Sequence, residues 1–329
     1  MIHHLVFDGV ADGALGVALD IVGAAARVMR AGLVAVPGQP RPPNHRVVSV
    51  DGEPVRTAAG RPLAVDGALT LRGLGAGDVL ALPGLWATTA PEISALLARD
   101  DVARGTELVA RAAAKGALVA ASCSATFVLG AARVLDGHQA TTTWWLGPAF
   151  AERFPRVKLR ADRMVVASGR VFTAGSAFAH ADLMLAILAH AWSPSLAHMV
   201  ARYLVLDERA SQARYMVMAH LGSADPVIRA LEVFINTNID RQLTIDEMAS
   251  ATATSPRTLA RRVVKALGTT PQQFVQRLRV AQAVHLLETT ALPIDDIAAR
   301  VGYADPAAFR RVFRRETGET PHARRTRGR

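Results

Sequence analysis

Two hydrophobic rhythms alternate along residues 1–190. Short, nearly continuous apolar runs read as buried strands: His4–Phe7, Val47–Val50, Val79–Leu82, Ala117–Ala121, Met164–Ala167 and Val171–Thr173. Between them lie longer Ala/Leu-rich stretches whose apolar residues recur three and four apart. They predict helices over Ala14–Met29, Glu92–Leu97, Gly105–Lys115, Ala125–Val134 and Ala179–Ala191. Strands alternating with helices imply crossover connections, hence a mostly parallel sheet covered on both faces. The segment Pro37–Pro43 holds four prolines and reads as a loop.

After Trp192 the rhythm changes. Ser193-Pro194 breaks the preceding helix, and Val200–Ala219 reads as a connector without a clear period. Asp225-Pro226 then offers an N-cap followed by proline at the first helical position. No strand-like run follows. The expected organisation is an α/β domain over 1–192, a linker over 193–224 and an all-α domain over 225–329.

The helical third contains an internal duplication. Ser255–Pro271 aligns with Asp305–Pro321 at an offset of 50, and Ile245–Ala249 with Ile294–Ala298 at an offset of 49. Each copy reads as a short helix, a turn and a second helix capped by Ser255 or Asp305. Leu259, Val263 and Leu267 form the core stripe of the first second-helix; Phe309, Phe313 and Thr317 form that of the other. Gly268 and Gly318 stop the two helices. The opposite faces carry Arg257, Arg261, Arg262 and Lys265 in one copy, and Arg310, Arg311, Arg314 and Arg315 in the other.

Charge sharpens this picture. The 329 residues carry 38 Lys/Arg and 28 Asp/Glu, a formal net of +10. The stretch Asp225–Arg329 alone holds 17 bases and 11 acids. A basic segment of this kind attracts a polyanion, nucleic acid before an anionic membrane. Apolar runs such as Leu183–Ala189 are far shorter than the ~18 residues of a membrane span. Asp8, Asp12 and Asp20 argue against a signal peptide. The single cysteine, Cys123, precludes an internal disulfide framework and suits a reducing compartment. The expectation is a cytoplasmic protein with no membrane partner, no cofactor and no metal site.

The second copy carries Ile294, Asp295, Asp296, Ile297 and Ala298, then Gly302, Tyr303, Asp305, Phe309, Arg311, Phe313, Gly318 and Pro321. With this series the last 100 residues resemble the DNA-binding domain of the AraC/XylS family of bacterial transcription regulators. The resemblance implies two helix-turn-helix units whose second helices enter adjacent major-groove segments of promoter DNA. Carried over by position, Arg257, Ala260 and Arg261 face bases in the first unit, and Ala307, Ala308 and Arg311 in the second. Arg314 and Arg315 lie nearer phosphates, and Arg262, Lys265 and Arg310 complete the expected DNA-binding set. The alanines lack the polar groups often found there, which shifts the second unit toward phosphate contacts and DNA shape.

Cys123 follows the run Ala117–Ser122 and opens a helical stretch. A strand–Cys–helix turn sets a side chain at the carboxyl edge of a sheet, and a helix N-terminus there lowers a thiol pKa. Ser122, Cys123, Ser124, Phe127, Leu135, Gly137, Ala140, Thr141 and Thr142, with Phe154-Pro155, Gly169, Thr173, Gly175 and Asp182, resemble the DJ-1/PfpI branch of the class I glutamine-amidotransferase-like fold. That resemblance implies a flavodoxin-like parallel sheet over residues 1–190. It also implies a cleft formed by Asp12, Gly84, Leu85, Cys123, Ser124, Thr143 and Trp144, with the Leu82–Trp86 turn offering backbone N–H donors. Where related enzymes place a catalytic His, this chain has Ser124 and Thr143, so no catalytic residue is expected; His138 and His180 remain candidate bases.

The architecture the two resemblances imply is a homodimeric, DNA-binding regulator that senses a small molecule at the Cys123 cleft. Similar regulators respond to amino acids or quaternary ammonium compounds, and RNA polymerase is a further partner in this reading, with nucleoid association when bound. A Cys123-dependent hydrolase or hydratase with a basic appendage, a redox sensor acting through Cys123, and an RNA- or membrane-associated protein stand as alternatives.

Overall fold

A computed structural model of the protein describes residues 1–36, 38, 41–207, 209, 211–212, 225–267 and 269–327, with the side chains of Lys265 and Arg327 left aside. The chain divides into two compact units, Met1–Gln212 and Ala213–Arg329.

The first unit is built on strands β1 (Ile2–Leu5), β2 (His45–Val48), β5 (Val79–Leu82), β6 (Leu118–Ser122), β9 (Val165–Ser168) and β10 (Val171–Ala174). Two short pairs stand apart from that sheet: β3 (Val55–Arg56) with β4 (Pro62–Leu63), and β7 (Gln139–Ala140) with β8 (Lys158–Leu159). The sheet order is β2-β1-β5-β6-β10-β9, parallel throughout except for β9 on β10. This is the flavodoxin-like order with an antiparallel edge strand.

One face is covered by α1 (Asp12–Arg30), α6 (Ala179–Ala191) and α7 (Pro194–Tyr203), whose Ile21, Val22, Met184, Ile187, Leu196 and Val200 are buried together. The other is covered by α2 (Ala90–Leu97), α3 (Asp100–Ala114), α4 (Thr126–Ala131) and α5 (Gly147–Arg153), packed through Ile93, Val102, Val109, Phe127 and Phe150. Alternation of faces explains the near-continuous apolar strands: β5 and β6 are buried at every position.

Three sequence expectations are corrected. The first strand lies two residues earlier than His4–Phe7, because the ladder ends where the chain turns at Asp8-Gly9; Val6 and Phe7 remain buried beyond it. The second strand shifts likewise, from Val47–Val50 to His45–Val48. The linker expected over 193–224 begins instead with a helix of the first unit. Ser193 stops α6 but caps α7, its Oγ accepting the Leu196 N–H at 3.1 Å with Pro194 in the first turn. Pro37, Gln39 and Pro40 of the expected loop, and residues 213–224 of the linker, lie outside the described residues.

The second unit, as described, is helical: α8 (Pro226–Thr237), α9 (Ile245–Ala251), α10 (Pro256–Leu267), α11 (Pro271–Thr289), α12 (Ile294–Arg300), α13 (Pro306–Thr317) and α14 (Pro321–Arg327). The long α11 is the common spine, touching α8 and α10 on the side of the first repeat and α12, α13 and α14 on the side of the second. Its buried residues accordingly cover more than one face: Phe274, Val275, Leu278, Val280, Ala283 and Leu287.

Candidate functional site: an arginine-bearing helix pair and a cleft at the sheet edge

The two repeat helices form as their sequences predict. Ser255 Oγ accepts the Thr258 N–H at 3.2 Å, and Asp305 accepts the Ala307 and Ala308 N–H groups at 2.8 and 3.1 Å. These bonds satisfy amides that a helix start leaves without partners. Leu259 and Val263 are fully buried in α10, as are Phe309 and Phe313 in α13, whereas Leu267 and Thr317 are half-buried. Gly318 ends α13 at φ +80°, where a residue with a Cβ is strained. Gly268 lies outside the described residues.

Arg257, Arg261, Arg262, Arg310, Arg311, Arg314 and Arg315 are all exposed; Ala307 is exposed, and Ala260 and Ala308 are half-buried. The arginines fall into two classes. Arg262 is held by Asp225 at 3.2 Å, Arg310 by Asp295, and Arg315 by Glu316 and the Gln276 amide oxygen at 2.8 Å. Arg311 is only loosely drawn to its own cap residue Asp305, at 3.7 Å. Among the described residues Arg257, Arg261 and Arg314 make no ion pair, so their guanidinium groups stand free for an external anion. The side chain of Lys265 is not described.

A buried node ties the two repeats together. Arg279, on α11, donates to the Arg241 carbonyl at 2.6 Å and lies over the Tyr303 ring at 5.5 Å from its centre. The turn at Gly302 closes over it: Gln242 donates to the Gly302 carbonyl at 3.3 Å. The segment before α9 thus meets the turn between α12 and α13. No helical period announces this contact; Gly302 and Tyr303 were its traces in the sequence.

In the first unit the loops after β1, β5 and β6 converge at the carboxyl edge of the sheet, where ligands bind in open α/β folds. Cys123 sits in the turn Cys123–Ala125 at φ +55°, a left-handed conformation rare for a residue with a side chain. It is only 6% exposed. The expectation of an exposed thiol with lowered pKa is overturned: burial pushes the Cys123 thiol up, against N–H groups of Ser124 and Ala177 and the hydroxyls of Ser124 and Thr143. The helix behind it, α4, has six residues, too short a dipole to offset desolvation. Gly84 covers the sulfur's side chain, since a Cβ there would lie 2.9 Å from the Cys123 Cβ.

The expected cleft residues do not line one cavity. Asp12 borders a cavity of about 310 Å³ with Ala58, Ala59, Trp86, Ala177 and Phe178, while Ser124, Thr143 and Trp144 are buried beneath. Asp12 accepts the Ala59 N–H at 3.2 Å, and the Thr57 hydroxyl and that amide hold its carboxyl below the usual range. Trp86 and Phe178 are 72% and 67% exposed at the rim. Leu85 is buried, and its carbonyl accepts from the Ser124 hydroxyl. The Trp86 N–H expected to serve a ligand is taken by the Gly9 carbonyl at 2.8 Å. Neither candidate base bonds the thiol: His138 pairs with Ser168 Oγ at 3.0 Å and His180 with Ser122 Oγ at 2.9 Å. Phe178 and Gln212, discussed below, gave no signal in the sequence. Among the described residues no three potential ligands are grouped as a metal site, and no helix is long and apolar enough to cross a membrane.

The profile of a helix-turn-helix domain matches residues 248–327, and that of the DJ-1/PfpI family matches residues 43–190. The HTH-type transcriptional regulator GlxA of Rhizobium meliloti is 31% identical over 207 residues, 62% of this chain and 64% of that protein. The HTH-type transcriptional regulator CdhR of Pseudomonas aeruginosa is 27% identical over 278 residues, 84% of this chain and 79% of that protein. The chain spans 64% of the length of GlxA and of the Pseudomonas aeruginosa regulator ArgR in these matches. A crystal structure of a ThiJ/PfpI family protein from Pseudomonas syringae shares the fold, with a TM-score of 0.50 at 19% identity over 77% of this chain and 88% of that one. The chain therefore joins a DJ-1/PfpI-family domain to an AraC-type helix-turn-helix domain.

Proposed function

We propose that the protein is a sequence-specific, DNA-binding transcriptional regulator whose DJ-1/PfpI-type domain dimerises and senses a small molecule rather than catalysing a reaction. The observation that carries this reading is the pair of capped helices, α10 and α13, packed on one spine and presenting Arg257, Arg261 and Arg314 without ion-pair partners. A free guanidinium suits bidentate contact with guanine or phosphate, whereas Arg262, Arg310 and Arg315 would first have to leave their carboxylates. Double-stranded promoter DNA is thus the principal partner, with RNA polymerase a further one, in the cytoplasm and at the nucleoid. The cavity that Asp12 lines together with Trp86 and Phe178 suits a small cationic effector, because aromatic faces and a carboxylate both attract positive charge. Against catalysis stand the raised pKa of Cys123 and the engagement of His138 and His180 with serine hydroxyls.

The test is a gel-shift or anisotropy titration with a fragment from beside the protein's own gene, against random DNA. Affinity is expected to fall steeply with salt. Changing Arg261 and Arg311 together to Ala is expected to reduce selectivity at least about tenfold, since one good bidentate base contact is worth about 1–3 kcal/mol. Undiminished selectivity in the double variant would overturn the assignment of these helices.

A further inference from the structure

The last residue of the first unit, Gln212, is 2% exposed. Glutamine is seldom buried to that extent. Its Nε2 lies 2.8 Å from the Ala161 carbonyl, 2.9 Å from the Thr142 carbonyl and 3.2 Å from Thr141 Oγ1. The two carbonyls accept only, so they fix which end of the amide is nitrogen. Thr141 already donates its hydroxyl proton to the Arg163 carbonyl at 3.0 Å, so toward Gln212 it is an acceptor as well. Three acceptors therefore surround a nitrogen that has two hydrogens. The amide oxygen, Oε1, is buried with no hydrogen-bond partner among the described residues. The recess exists because residue 175 is glycine: a Cβ there would lie 2.1 Å from Oε1. Gln212 is an imperfect occupant of a site built for N–H donors.

Arg209 and Ser211 before it are held by separate contacts. Arg209 pairs with Asp182 and donates to the Phe178 carbonyl at 2.8 Å, and Ser211 Oγ donates to the Asp162 carbonyl at 2.7 Å. This strap binds the same Gly175–Phe178 loop that borders the Asp12 cavity, at Gly175 through Gln212 and at Phe178 through Arg209. Beyond Gln212 the chain leads into the second domain.

We propose that the recess filled by the Gln212 amide is a binding subsite for the primary amino or carboxamide group of a small ligand, with Gln212 as its tethered stand-in. The proposal rests on the sensing role given above and locates one part of it. A ligand nitrogen takes the oxygens of Ala161, Thr142 and Thr141, and the Gln212 side chain leaves, loosening the strap. An ammonium group, with three N–H bonds, matches the acceptor set better than the amide does. Because the tethered side chain competes at high local concentration, the wild-type chain binds such a group weakly, and removal of Gln212 strengthens binding.

The experiment uses the full chain, wild type and Gln212→Ala, with methylammonium, acetamide and tetramethylammonium as probes. The last has no N–H and controls for ionic strength. Methylammonium or acetamide at about ten times its Kd is expected to raise the melting temperature of Gln212→Ala by about 3 °C more than that of wild type, and tetramethylammonium to give no such difference. Preference for methylammonium identifies an amine ligand, and preference for acetamide a carboxamide. Equal shifts in both chains, or an equal effect of tetramethylammonium, would overturn the subsite. Should Gln212→Ala fail to fold, trypsin cleavage after Arg209 in the wild-type chain gives the answer: methylammonium accelerates it and tetramethylammonium does not, and equal rates refute the proposal. DNA binding enters neither readout, so failure here leaves the regulatory reading to its own gel-shift test.

Discussion

Gly302→Ala is the sharpest single perturbation of the helical domain. Gly302 holds φ +80°, so any L-residue there bears about 1–2 kcal/mol of backbone strain. The added Cβ would also sit 2.4 Å from the Ile239 carbonyl oxygen and 2.6 Å from an Arg279 guanidinium nitrogen. Arg279 is buried and half-trapped, so it yields only by giving up its 2.6 Å bond to the Arg241 carbonyl. A hydrogen bond made by a charged group contributes about 1.5–3 kcal/mol, which brings the total to about 2.5–5 kcal/mol. Set against a typical domain stability of about 5–15 kcal/mol, that is a large share. The helical domain of the full-length variant is expected to melt at least about 10 °C below wild type. Because the node joins the two repeats, DNA affinity should fall even at temperatures where helix content is kept. A double-mutant cycle sharpens the reading: in an Arg279→Ala background the alanine penalty should shrink toward the strain and the Ile239 contact alone. Melting within about 2 °C of wild type, or full additivity in the cycle, would refute the clamp.

Other consequences are as direct. His4 and His180 are fully buried and desolvation lowers their pKa values to about 3 and about 4, so their folded pKa values lie below the 6.5 of a free imidazole. The unfolded chain then binds more protons on acidification, and their stabilisation, complete above pH 6.5, is lost as pH falls from 6.5 toward 4 and 3. At pH 5 that is about 2 kcal/mol per histidine; the urea midpoint of the α/β domain should drop between pH 7.5 and 5 and the drop should roughly halve in His180→Gln, an unchanged midpoint counting against buried neutral imidazoles. The raised pKa of Cys123 predicts alkylation by iodoacetamide at pH 7 at least about tenfold slower than free cysteine, rising to the free rate in urea. Labelling of the folded chain at the free rate would restore the redox-sensor reading. Asp305→Ala removes two N-terminal bonds of α13 and should lower stability by about 1 kcal/mol while freeing Arg311, so DNA affinity at low salt is expected to hold or rise rather than fall in step with stability.

Much of this protein was legible before any coordinates. The rhythms of residues 1–190 are local properties, an unbroken apolar run for a strand covered on both faces and a 3.6-residue recurrence for a helix, and Val79–Leu82 and Ala179–Ala191 fall on the expected residues. The duplication was legible for the same reason: cap, core stripe and basic face each lie within one helix, and Ser255, Asp305, Phe309 and Phe313 do what their spacing requires. Helix α7 was missed because Ser193-Pro194 stops one helix and starts another with the same two residues.

What the sequence by itself determined were features carried by neighbours along the chain: two stretches of different rhythm, most of their longer elements, and a pair of arginine-bearing helices. Tertiary structure alone decided which of those arginines are free, since Arg262 and Arg315 meet partners 37 and 39 residues away. It decided the ionisation of Cys123 too, because burial in the folded unit desolvates the thiol more than the nearby amides and hydroxyls stabilise its anion, and both effects depend on distance through space. The Gln212 recess likewise assembles acceptors from Thr141, Thr142 and Ala161, 51 to 71 residues distant, which no local pattern can register.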